Sequence, residues 1–287
     1  MTIFDPENVQ RAFSKWRLKD PSDDRLTIVN QGRLGNVMFQ YASLLAIALR
    51  NGKRPFVFSS NIIRGTFDVS FVEDVDTKQW LQIKERQFAA YCPEMANLPK
   101  GSFQLVQMFQ SWRYFEPIKQ EIRKELKFKE EHEQAGGEMF RHYTAPYRNR
   151  TIIALHVRRT DMNDTTESSH GHTMAPLSYI RKAILHMQSK FRTPVFLIAT
   201  DDKDWCRTHL AGPDMVLMYN DNPHMDLVAM SMCDHVIMTV GTFGWWAAWL
   251  VGGYTIYYNG YPKEGSIMAR EFVKEDFFQP HWIPMGA

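Results

Sequence analysis

The chain has 287 residues, 44% of them hydrophobic, enough to bury a substantial core and to build two domains of ordinary size. Its 34 Lys and Arg nearly balance its 32 Asp and Glu, so a net charge of +2 gives no general signal for nucleic acid, and any phosphate recognition has to be local. The 3 cysteines, Cys92, Cys206 and Cys233, have no metal-type spacing and cannot form a fully paired framework.

Residues 1–24 are polar, with Asp5-Pro6 and an Asp20-Pro21-Ser22-Asp23-Asp24 turn cluster, and read as a tail or a short helix. The opening MTIFDPENVQRAFSKW lacks the basic-then-apolar order of a signal peptide, and no apolar run reaches the roughly 18 residues of a membrane span, so the sequence reads as soluble. Arg25–Asn30 is the first predicted strand. It runs through Gly32-Arg33-Leu34-Gly35-Asn36 into a helix rich in Ala, Leu and Met that ends at Asn51-Gly52, and a second strand follows over Pro55–Ser59. This strand, turn, helix, strand order predicts an α/β first domain. Residues 61–101 carry no period. Phe103–Phe109 is a further strand, and Phe115, Ile118, Ile122 and Leu126 recur at the spacing of an amphipathic helix. Residues 129–150 are polar, with Gly136-Gly137 and Pro146, and read as the linker.

Beyond it the rhythm is regular. Strands are predicted at 151–157, 194–200, 215–219, 235–240 and 254–258, separated by helices at 176–190, 204–210, 225–233 and 244–251. Such alternation implies a parallel sheet covered on both faces by helices. The domains expected are therefore a tail to residue 24, an α/β domain over 25–145 and a second α/β domain over 146–287.

In such sheets ligands bind at the carboxyl ends of the strands. Thr151–Asp161, TIIALHVRRTD, is a buried-strand pattern that delivers Arg158, Arg159 and Asp161 to that end, and paired guanidiniums suit a phosphate or diphosphate. Asp201 and Asp202 follow the next strand, where a carboxylate takes two donors at once, as from a ribose or a base. Asp226 opens a helix, where capping competes with ligand binding. Gly241-Thr242-Phe243-Gly244 feeds another helix, and its amides with the positive dipole end form an anion seat. Gly32-Arg33-Leu34-Gly35-Asn36 is G-x-x-G rather than the dinucleotide fingerprint, which disfavours NAD while offering an Arg and an Asn to an oxygen-rich ligand. Asp202-Lys203-Asp204 and His170-Gly171-His172 are weak metal signals. Asn163-Asp164-Thr165 matches a glycosylation acceptor but sits beside the arginine pair, where a glycan would obstruct the site.

Taken together, His156-Val-Arg-Arg-Thr-Asp161, Ala199-Thr-Asp-Asp202 with Trp205-Cys206, and the run from Asp226 through Gly241-Thr-Phe-Gly-Trp-Trp to Gly253 resemble the galactoside alpha-1,2-fucosyltransferases. Gly32–Asn36 with Gln40-Tyr41-Ala42 resembles that family's first block, and Phe277 to Trp282 its last; the blocks keep the family's order over residues 26–283. The resemblance implies a GT-B-like pair of Rossmann-type domains facing a cleft, GDP-fucose as donor, a galactose-terminated glycan as acceptor, inversion at the fucose anomeric carbon, and no metal or cofactor. It implies Arg158 on the donor phosphate; Asp161 is the second catalytic candidate by its position in the chain. His156, Arg159, Asp201, Asp226, Gly241, Thr242 and Phe243 are the donor-binding candidates, with Arg159 reading as more structural than Arg158 and paired with an acid. Arg33, Gly35 and Asn36, in a turn that would face the donor across the cleft, are placed with His170 on the interdomain and acceptor side. Asp161, Glu167 and His170 are the candidate general bases. The family's N-terminal membrane anchor is missing from this sequence, so a Golgi location with membrane attachment rests on the resemblance alone. The segment after Asp161, MNDTTESSHGHTM, departs from the common vertebrate pattern and leaves the acceptor open. Competing readings are a fucosyltransferase of another linkage, alpha-1,6 or onto protein, and an inactive nucleotide-sugar or glycan binder.

Overall fold

A computed structural model describes residues 3–160 and 170–287. The chain divides into two compact units, Met1–Phe128 with Glu271–Gln279, and Lys129–Arg270 with Pro280–Ala287.

The first unit is built on strands β1 (Arg25–Ile28), β2 (Arg54–Pro55), β3 (Leu81–Lys84) and β4 (Phe103–Val106), all parallel in the order β2-β1-β4-β3. Of the two readings for residues 1–24, a tail or a short helix, the helix holds, as α1 (Pro6–Arg17). Asp5 caps it by accepting from the Glu7 amide at 3.1 Å, Pro6 occupies its first turn, and Val9, Phe13 and Trp16 are buried. Phe13 and Trp16 both meet Phe71 edge-on, so this stretch is part of the unit's core. Helix α2 (Leu34–Arg50) is apolar all round and buried over nearly its whole length, which makes it the unit's central helix. Four features differ from the sequence reading. The strand predicted over Pro55–Ser59 pairs only at Arg54–Pro55, with an isolated bridge from Val57 to Val72 beyond it. β3 is an extra strand, missed because its side chains are mostly exposed and leave no periodic signal. β4 stops at Val106 because Gln107 turns left-handed, with φ of 105°. The predicted amphipathic helix is a 3-10 turn leading into helix α3 (Lys119–Glu125), with Phe115, Ile118, Ile122 and Leu126 all buried as its spacing requires.

The linker reading does not survive. Residues 130–144 form helix α4 (Glu130–Thr144), which belongs to the second unit. Its Gly136-Gly137 pair marks a close helix contact rather than a flexible hinge. A Cβ on Gly136 would lie 2.5 Å from Val228 Cβ and 3.0 Å from the Met225 carbonyl, both on helix α7 (Pro223–Ser231).

The second unit carries β5 (Ile152–Val157), β6 (Val195–Thr200), β7 (Met215–Leu217), β8 (His235–Met238), β9 (Thr255–Tyr258) and β10 (Ile283–Met285), all parallel in the order β10-β9-β8-β5-β6-β7. Helices α5 (Leu177–Lys190), α6 (Lys203–His209), α7 and α8 (Thr242–Val251) make the crossovers. The short α9 (Ile267–Glu271) is followed by α10 (Lys274–Phe277), which lies in the segment belonging to the first unit, and then by β10, an edge strand that the sequence reading missed. Every residue of β5 is buried, as a strand covered on both faces demands. The core packs Ile153, Leu155 and Val157 of β5 against Tyr179, Ile180 and Ala183 of α5. Tyr179 satisfies its buried hydroxyl by donating to the Met238 carbonyl at 2.7 Å.

Candidate active site

From β5 the sheet grows through β6 and β7 on one side and through β8, β9 and β10 on the other. The reversal between β5 and β8 is the topological switch point of a doubly wound sheet, where diverging connections open a crevice at the carboxyl ends. β5 delivers His156, Arg158 and Arg159 to it. β8 delivers Thr239, Val240 and Gly241, and α8 starts there.

Arg158 is fixed at this point by its neighbours on β8. Its amide donates to Thr239 Oγ1 at 3.0 Å, and the Thr239 amide donates to the His156 carbonyl at 3.1 Å. Gly241 has φ of 91°, and a Cβ there would lie 2.5 Å from Arg158 Nη1 and 3.2 Å from its Cδ. Only glycine permits both this backbone and a guanidinium laid against it. Gly241 is also the N-cap of α8 and supplies no side-chain cap. A permanent cation therefore sits beside the positive end of a helix, the pairing that suits a diphosphate.

His156 seats the first turn of that helix. A Cβ on Gly244 would lie 2.5 Å from His156 Nδ1, and the Phe243 ring is 5.7 Å from the imidazole. The histidine is 6% exposed, and Nδ1 has no hydrogen-bond partner among the described residues. Burial, reinforced by the Arg158 guanidinium and opposed by Asp201, lowers its pKa to about 4. It is neutral at physiological pH and adds no second charge to the anion seat.

Arg159 points elsewhere. Its Nε donates to Asp202 Oδ2 at 3.3 Å, and its guanidinium carbon lies 3.8 Å over the Trp205 ring. Asp202 also caps α6, accepting from the Trp205 amide at 3.1 Å. Asp201, at the end of β6, accepts from the Arg159 amide at 2.8 Å, the Thr160 amide at 3.2 Å and the Thr160 hydroxyl at 2.8 Å. These acids brace the segment leaving β5 at Arg159 and Thr160.

Asp226 lies in the first turn of α7, but the cap is Asn222, which accepts from the His224 amide at 3.0 Å. Asp226 accepts from Asn220 Nδ2 at 2.9 Å, and burial raises its pKa to about 6 against that hydrogen bond and the nearby Lys203. Asp226 is therefore not the helix cap. Thr242 and Phe243 occupy the first turn of α8. Asp161 and Glu167, and the Asn163 acceptor pattern, lie outside the described residues. His170 is exposed, and the next residue, Gly171, is tied to the loop after β9 by the Lys263 amide, 2.8 Å from its carbonyl.

In the first unit, Gly32 has φ of 80° and a Cβ there would collide with the Asn36 amide. Arg33 is the extended N-cap of α2, Gly35 is buried, and Asn36 Oδ1 accepts from Gln110 Nε2 at 3.0 Å. Sequence reasoning did not find Thr239, Asn220 or Gln110, whose roles depend on strand pairing or on a turn. Thr239 alone had a signal, as a hydroxyl residue at a strand's carboxyl end. No group of His, Cys, Asp or Glu that could hold a metal occurs among the described residues, nor does a helix long and apolar enough to cross a membrane.

Parallel sheets of this kind, flanked by helices, give the chain a GT-B-like α/β fold. Solved structures share the fold. Fucosyltransferase NodZ from Bradyrhizobium superimposes with a TM-score of 0.57 at 16% identity, covering 84% of this chain and 98% of that one. POFUT1 in complex with GDP-fucose gives 0.52 at 11% identity, covering 82% and 96%. The chain belongs to glycosyl transferase family 11, whose model matches residues 5–285. Among its curated relatives are the galactoside alpha-(1,2)-fucosyltransferases 1 of Saimiri boliviensis boliviensis and Aotus nancymaae, each 30% identical over 275 residues, which are 91% of this chain and 75% of theirs.

Proposed function

We propose that the protein transfers L-fucose from GDP-fucose to the 2-hydroxyl of a terminal galactoside, with inversion and without a metal ion. The observation that carries this is Arg158, laid against Gly241 beside the start of α8. Loss of GDP places negative charge on the leaving β-phosphate and positive charge on the sugar ring. A fixed guanidinium with helix amides beside it stabilises that charge more in the transition state than in the ground state. Neutral His156 supports the turn without competing for the phosphate. Asp226, and Asp201 through any acceptor capacity left by its backbone contacts, are the groups proposed for the nucleoside. Asp161, by its position in the chain, is proposed as the base that receives the acceptor hydroxyl's proton.

The names of the curated relatives support the galactoside and the 2-linkage, and the neighbour crystallised with GDP-fucose supports the donor. Incubating the protein with GDP-fucose and lactose, with and without EDTA, and determining the linkage of the product tests the reading. Fucose on the galactose 2-hydroxyl, formed equally with EDTA, is expected. A 6-linked or peptide-linked product, or loss of turnover on chelation, would overturn it.

A further inference from the structure

The carboxyl ends of β3 and β4 hold an arrangement that core packing alone does not call for. Glu85, directly after β3, is 3% exposed. Its Oε1 accepts from the Met108 amide at 3.0 Å and the Phe109 amide at 2.9 Å, while Oε2 is buried with no hydrogen-bond partner among the described residues. The turn it holds is left-handed at two non-glycine residues, Gln107 with φ of 105° and Phe109 with φ of 49°. A buried carboxyl, an orphaned oxygen and two unfavourable backbone positions all cost stability at one spot, the pattern expected where a site is being shaped.

The turn is also bound on its other side. The Gln107 carbonyl accepts from Gln40 Nε2 at 3.3 Å and the Phe109 carbonyl from Ser43 Oγ at 2.9 Å, both side chains of α2. The next residue, Gln110, is 4% exposed and donates to Asn36 Oδ1. Asn36 is half-buried, in the first turn of α2, with its amide nitrogen packed on Gly32. A continuous line of contacts thus runs from Glu85 through the turn and Gln110 to Asn36. It lies at the carboxyl ends of β1 and β4, the neighbours at which this unit's strand order reverses. A primary amide donates and accepts at once, which matches a sugar hydroxyl.

We propose that Glu85 is a positioning residue, holding the turn after β4 so that Asn36 meets the hydroxyls of the acceptor sugar; this rests on the fucosyl-transfer reading above. The test compares Glu85→Ala, Glu85→Gln, Asn36→Ala and the Glu85→Ala/Asn36→Ala double variant in steady-state kinetics with GDP-fucose and lactose. Glu85→Ala raises the lactose KM at least about tenfold while the GDP-fucose KM stays within about twofold. Glu85→Gln, which keeps an oxygen for the Met108 and Phe109 amides, restores most of that loss. The double variant is no worse than Asn36→Ala. An equal rise in both KM values, no rise, or additive losses would overturn the proposal. Amide hydrogen exchange provides a reading free of the acceptor's identity. In Glu85→Ala the Met108 and Phe109 amides exchange at least about tenfold faster while the β5 and β8 amides do not change, and unchanged exchange at Met108 and Phe109 overturns the proposal. Failure of the wild type to fucosylate lactose counts against the functional reading and leaves the exchange result to decide the role of Glu85.

Discussion

Replacing Gly241 with alanine adds one methyl group and tests the seat of Arg158 without touching its charge. The new Cβ would lie 2.5 Å from Arg158 Nη1, 3.2 Å from Cδ and 3.5 Å from Cζ. Comfortable contact needs about 3.5 Å, so the guanidinium has to retreat by about 1 Å. A displacement of about 1 Å at a group that must meet the reacting atoms costs on the order of 100-fold in rate. Separately, a φ of 91° is strained for alanine by on the order of 1–3 kcal/mol, or roughly 2–12 °C in Tm. The two effects are read by different assays, GDP release from GDP-fucose with saturating lactose and thermal melting of the free protein. The expected result is a lower Tm together with a kcat reduced about 100-fold. A Gly241→Ala protein that melts earlier but turns over within threefold of wild type would refute the argument that this glycine exists to admit the arginine.

Glu85 sets a slope in stability against pH. Burial raises its pKa from 4.5 to about 7, so the fold favours the neutral acid; that contribution is full below pH 4.5 and is lost as pH rises through about 7. Relative to wild type, Glu85→Gln should therefore gain up to about 3 kcal/mol between pH 4.5 and pH 8.5, read from melts at both ends; a constant difference would show that folding leaves the Glu85 pKa unchanged. Asp226, raised to about 6, is ionised above that pH, so the GDP-fucose KM should climb as pH falls through about 6 and lose that dependence in Asp226→Asn. Arg159→Ala removes the ion pair to Asp202 and the stack on Trp205, and should cost about 1–2 kcal/mol of stability with a loss of turnover at least tenfold smaller than for Arg158→Ala.

Much of the second unit was legible because parallel strands buried on both faces leave continuous apolar runs. Ile152–Val157, Val195–Thr200 and His235–Met238 could hardly be anything else, and their order along the chain already placed Arg158 and Gly241 at strand ends. What escaped had a physical reason in each case. β3 shows water most of its side chains, and β10 is a short edge strand. Gly136-Gly137 looks in sequence like a hinge, because a glycine that admits a neighbouring helix and one that frees a chain are the same letter. Asp226 was weighed as a cap because nothing local shows that Asn222 already serves. Glu85 gave no signal, since its burial comes from a turn more than twenty residues away whose left-handed residues, Gln107 and Phe109, are not glycines.

The central claim is that a guanidinium at the end of β5 takes up the charge of a departing diphosphate. Turnover of Arg158→Ala at saturating GDP-fucose and acceptor measures this most directly. At least a 100-fold loss in kcat is predicted, with melting unchanged to within a few degrees. A variant that transfers fucose at near the wild-type rate under those conditions would contradict the account.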